Sequence, residues 1–150
     1  MNLAIFGLLL AAADPGGWRG ARWGMTEAEV LAAVPGVSRD VGIERKAGLA
    51  LKVEIAGMAW QAFFYFEGGL ERVALAPTRE EDRTDDDLCR VERLLVQKYG
   101  RPWRNSGAET RVSQWTLGGT VITLQLVHHR AIRLRFLDLV YERRRAVAGL

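Results

Sequence analysis

An α+β domain, with two helices packed on one face of an antiparallel sheet and a helix-plus-hairpins layout occurring twice, is the fold class that this chain predicts. Three observations lead there. Residues 26–34 and 84–100 carry helix-start and helix-stop signals, alternating apolar and polar runs follow each of them, and Gly68-Gly69 and Gly118-Gly119 fall between such runs where tight turns belong. With 150 residues, 49% of them hydrophobic, one core is within reach without a disulfide framework or a structural metal.

The chain opens without a charged side chain from Asn2 to Ala13, and Leu3, Ile5, Phe6, Leu8, Leu9 and Leu10 run into Ala11-Ala12-Ala13. An apolar run of this length is too short for a membrane span and has the form of a signal peptide with a small-residue cleavage site, although no Lys or Arg precedes it. Residues 1–13 are expected as signal peptide, 14–22 as linker, and 23–150 as a single domain with halves 23–76 and 84–138. The leader implies a periplasmic or secreted protein; its alternative is a buried amino-terminal strand or helix.

Thr26 and Glu29 form a capping box, each side chain meeting an orphan amide of the other's turn, with Met25 and Val30 placed as a hydrophobic staple. Pro35-Gly36 ends this helix after about two turns. Leu49, Leu51, Val53 and Ile55 then alternate with Ala50, Lys52 and Glu54, and an aromatic strand over 59–66 turns at Gly68-Gly69 into Leu70, Val73 and Leu75. Thr84 caps the second helix, Asp85, Asp86 and Asp87 suit the positive end of its dipole, and Gly100 with Pro102 stops it. Leu88, Val91, Leu95 and Tyr99 mark its core face. Val112 to Leu117 returns through Gly118-Gly119 into Val121 to Val127, and Ile132, Leu134 and Phe136 alternate with Arg133 and Arg135.

The opening Trp23-Gly24-Met25-Thr26-x-x-Glu29-Val30, the strand ending Phe64-Tyr65-Phe66 before Gly68-Gly69-Leu70, and Lys98-Tyr99-Gly100-Arg101-Pro102 resemble small exported bacterial helix-and-sheet modules. The layout is more distantly similar to the SmpA/OmlA lipoproteins of the outer-membrane assembly machinery and to beta-lactamase inhibitory proteins. That resemblance implies a binding or scaffolding module without an active site. The leader junction lacks the cysteine that carries lipid in the lipoproteins, so the likeness does not extend to anchoring.

Catalytic and metal-binding patterns are sparse. His128 and His129 are adjacent in a strand and point to opposite faces, and no further ligand completes a site at metal spacing. Glu80, Glu81, Asp82, Asp85, Asp86 and Asp87 lack the spacing and turn glycine of a calcium loop, and a helix start accounts for the aspartates. Ser38, Ser106 and Ser113 stand near no activating pattern. No metal, cofactor or catalytic residue is expected; a hydrolase would need His128 or His129 gathered with a carboxylate and a hydroxyl. Cys89 is the only cysteine, which precludes an internal disulfide and leaves inert packing beside the helix stripe or an intermolecular bridge.

Binding surfaces are more legible. If Trp60, Phe64 and Phe66 face the core, Phe63 and Tyr65 face outward, where they form an apolar patch for a partner unless a loop or the carboxy-terminal tail covers them. Trp103, between Pro102 and Arg104 in a polar loop, is expected as a further exposed contact, whereas Trp23 and Trp115 are expected in the core. Arg133, Arg135, Arg143, Arg144 and Arg145 suit an anionic lipid or polymer of the envelope, or the acidic stretch from Glu80 to Asp87. A net charge of +3 argues against a nucleic-acid binder. The expected partner is an envelope protein, and the sequence leaves the oligomeric state open.

Overall fold

The structure is a computed structural model that describes residues 12–145, so the expected leader falls almost wholly outside the described residues. The described chain is α+β and mostly β. It begins with a small hairpin, β1 (Gly17–Trp18) and β2 (Ala21–Arg22), followed by α1 (Glu27–Ala33), β3 (Leu49–Ile55), β4 (Met58–Phe66) and β5 (Leu70–Pro77). After a short 3₁₀ turn over Glu80–Asp82 come α2 (Asp85–Tyr99), β6 (Trp103–Ser106), β7 (Thr110–Leu117), β8 (Thr120–His129) and β9 (Leu134–Arg143).

Local chemistry accounts for both helices. Thr26 and Glu29 close a reciprocal capping box at α1, and Thr84 with Asp87 does the same at α2. Burial alone would raise the Asp87 carboxyl, but the Thr84 hydroxyl and amide and the Arg90 guanidinium outweigh it and hold Asp87 below the usual carboxylate range. Gly100, at φ 85°, takes the left-handed position at the end of α2 and offers its carbonyl to the Trp115 indole at 2.8 Å.

Seven strands form one antiparallel sheet in the order β3-β4-β5-β9-β8-β7-β6. The two hairpin groups therefore join through β5 and β9, where Val73 lies opposite Tyr141 and Leu75 opposite Leu139. Side chains of one parity, among them Trp60, Phe64, Leu75, Leu124, Leu137 and Leu139, form a single core with Val30 of α1 and Leu88, Val91, Leu95 and Tyr99 of α2. Among the described residues no helix is long and apolar enough to cross a membrane.

Four local expectations differ from the structure. Residues 14–22, expected as linker, contain the β1–β2 hairpin, because Trp18 and Ala21 have core contacts available and are buried. Residues 103–106, expected in a polar loop, pair with β7 as an edge strand whose side chains are all exposed. The last strand has the opposite phase: Ile132, Leu134 and Phe136 are exposed, while Leu137, Leu139 and Tyr141 are buried, and the strand runs on to Arg143. Cys89 is exposed instead of packed, since it lies about 100° around the helix from the stripe of Leu88, Val91 and Leu95.

Candidate functional site

Strand alternation gives the sheet a second face, opposite the side chains that share a core with Val30 of α1 and with Leu88, Val91, Leu95 and Tyr99 of α2. Trp60 and Phe64 are fully buried, and their strand neighbours Phe63 and Tyr65 point to this second face and are half-buried. Register carries one row across all seven strands: Ala50, Phe63, Ala74, Val140, Thr123, Gln114 and Trp103. Phe63, Tyr65 and Trp103 thus share a face. Trp103, 60% exposed, stands five strands from Phe63, about 24 Å at ordinary strand spacing, so it is not part of the same local patch.

Beside Phe63 the face acquires charge. Tyr65, opposite Arg72 in the β4–β5 register, lies under its guanidinium at 4.2 Å from the ring centroid. Burial and the nearby Glu44 raise the Tyr65 hydroxyl above its ordinary value against the opposing pull of Arg72. Tyr65 and Arg72 open onto a hollow of about 640 Å³ bounded also by Lys46, Phe66, Glu67, Glu71, Val121, Glu142 and the run Arg143–Arg145. Five cations and three carboxylates line it. Half-buried aromatic side chains thus lie beside a charged, solvent-facing hollow.

The five candidate arginines do not form one cluster. Arg135 and Arg143 are eight residues apart on β9, about 27 Å at strand rise, so Arg133 and Arg135 stand at the opposite end of the sheet from Arg143–Arg145. Arg145 bonds Glu67 at 2.7 Å, and Arg143 and Arg145 each approach Glu71 at 3.8 Å. The partners of Arg143 and Arg145 are therefore the carboxylates of the β4–β5 hairpin. Arg133 and Arg135 instead line a hollow with Glu80 and Glu81 of the acidic stretch.

The remaining chemistry-bearing groups are dispersed. His128 lines that last hollow with Arg83 and no hydroxyl residue, and His129 meets the edge of Phe136 at 5.8 Å. Among the acidic residues, Glu81 pairs with Arg79, Asp85 with Arg111 and Asp87 with Arg90. Among the described residues no group of three or more His, Cys, Asp or Glu side chains is arranged to hold a metal. Ser113 is buried and donates to Glu92 at 3.0 Å.

Sequence reasoning treated Tyr65 and Arg143–Arg145 as two separate sites. They meet because β5, the partner of β4, also pairs with β9, a connection between strands distant in sequence that no local pattern announces. Asp138 was also missed. Its parity places it on the second face, where burial raises its carboxyl and Arg83 opposes that rise. No known family model, curated protein or solved structure matches the chain.

Proposed function

We propose that this chain is an exported, non-enzymatic binding or scaffolding module of the bacterial cell envelope that contacts a protein partner through the second face of its sheet. The observation that carries this reading is the pairing of half-buried Phe63 and Tyr65 with a charged hollow on the face that neither helix occupies. The apolar leader supports export, and the resemblance to exported helix-and-sheet modules points the same way. In this reading the two halves are one helix-plus-hairpins layout used twice, with both helices on the core side and the other face left for recognition.

A second reading, a binder of an anionic envelope lipid or polymer, draws its support from the excess of cations around the hollow. The ion pairs of Arg143 and Arg145 with Glu67 and Glu71 reduce the charge available for it. Salt separates the two, because exposed charge contacts are screened beyond about 8 Å at physiological ionic strength and apolar contacts are not.

A crosslinking pull-down from envelope extract tests the choice, using wild-type protein, the double variant Phe63→Ser/Tyr65→Ser and the triple variant Arg143→Ser/Arg144→Ser/Arg145→Ser. The account expects one enriched protein that is lost with the aromatic variant and retained in high salt. Retention of every partner by the aromatic variant, with loss only in the arginine variant and in salt, would put the anionic reading in its place.

A further inference from the structure

The β1–β2 hairpin turns on Arg19 and Gly20, at φ 47° and 87°. A two-residue hairpin turn with both central residues at positive φ is ordinarily filled by Asn-Gly, since Asn tolerates the left-handed region and a long side chain does not gain from it. An arginine held there is a strained residue whose backbone preference has been overridden. Such positions direct attention to what the side chain does.

The Arg19 guanidinium stands 5.1 Å from the centroid of Trp18 and lines a cavity of about 520 Å³ on the helix-bearing side of the sheet. Lys98, its ammonium 5.3 Å from the Tyr99 ring centroid, lines the same cavity at the last turn of α2. Among the described residues neither cation has a carboxylate within ion-pair distance. Trp18, Ile55 and Leu139 supply apolar wall, and Tyr99 and Tyr141, 8% and 5% exposed, line the interior. The cavity falls within the size range of small-molecule sites, and its wall combines apolar surface with two cations, the Asp14 carboxylate and two tyrosines.

Two negative influences border this space. Asp14 is at the rim, but its carboxylate is engaged by the Gly16 amide at 2.8 Å, the Gly119 amide at 2.6 Å and the Thr120 hydroxyl at 2.6 Å. The Gly100 carbonyl at the negative end of α2 is taken by Trp115, and Lys98 offsets the rest of the helix dipole. Burial, with the Tyr99 hydroxyl bonded beside it, raises the Tyr141 hydroxyl far above its ordinary range despite the opposing pull of Arg19.

We propose that this cavity is a binding site for a small organic anion, its carboxylate or phosphate group held by Arg19, Lys98 and the tyrosine hydroxyls and its apolar body lying against Trp18, Ile55 and Leu139. The site is independent of the sheet face that carries Phe63 and Tyr65. It also gives Arg19 a reason to occupy a turn position better suited to asparagine.

Titration of the full chain with octanoate, 4-phenylbutyrate and phenyl phosphate, followed by ligand-observed NMR with the neutral 4-phenylbutanol as control, tests the proposal. At least one anion is expected to saturate with a dissociation constant on the order of a millimolar or tighter, and the alcohol to bind at least about tenfold more weakly. Carboxylate binding without phosphate binding, or the reverse, identifies the headgroup and supports the site. Arg19→Asn is expected to weaken the anion at least about tenfold while leaving the melting temperature unchanged or higher, because it relieves the turn. Lys98→Gln, on an exposed helix turn, is expected to weaken it in the same direction. Absence of saturation by every anion at about 10 mM, equal binding of the alcohol, or unchanged affinity in both variants overturns the proposal.

Discussion

Asp138 carries a carboxyl that burial pushes up and Arg83 pulls back down. A carboxyl raised in the folded state penalises folding above its folded pKa, where it must ionise in a poor environment, and costs nothing below about pH 3.9, where it is protonated in both states. Asp138→Asn is therefore expected to raise the melting temperature at pH 7, with the gain shrinking as pH falls and gone below about 3.9. A variant that melts at or below wild type at pH 7 would show that Arg83 fully compensates the charge. Asp14 works in the opposite sense. The Thr120 hydroxyl holds it low against burial, so its contribution is present above the unfolded value and lost as pH falls through the folded one. The caps at Thr26 and Thr84 were legible because capping chemistry is local. Asp138 and Arg19 were not, since burial of one and strain at the other depend on segments distant in sequence.

At the scale of elements, strong periodicity is legible in the sequence and weak periodicity is not. The α2 stripe and the outward parity of Phe63 and Tyr65 follow from regular alternation with clear punctuation. β9 misleads because Leu134 and Phe136 at its exposed start mimic a core pattern that Leu137, Leu139 and Tyr141 then contradict in the opposite phase. The β1–β2 hairpin escapes notice because each strand has only two residues and the composition of 14–20 is that of a turn. Its weight in the fold is nevertheless large. Trp18 is 6% exposed and tilts against Phe64 at 5.8 Å between ring centroids, so Trp18→Ala is expected to cost about 3–5 kcal/mol. For a domain of this size that corresponds to a fall of roughly 10 °C in melting temperature. A shift of less than about 2 °C in thermal denaturation would mean that the hairpin behaves as the linker its composition suggests.

For the whole molecule, the decisive feature is the β5–β9 junction. It makes one continuous seven-stranded sheet from two groups of strands, gathers a single core on one side, and leaves the other side to Phe63, Tyr65 and the hollow that Tyr65 borders. Continuity of the sheet was not readable from sequence, because pairing between strands about seventy residues apart leaves no local trace. The most direct test of the proposed binding face is site-specific photocrosslinking in native envelopes. A benzophenone amino acid placed at Phe63 or at Tyr65 is compared with one at exposed Leu94 on the outer side of α2. The account predicts the same discrete protein adduct from both sheet positions and none from Leu94. Adducts of equal yield from all three positions, or from Leu94 alone, would contradict a partner bound through the sheet.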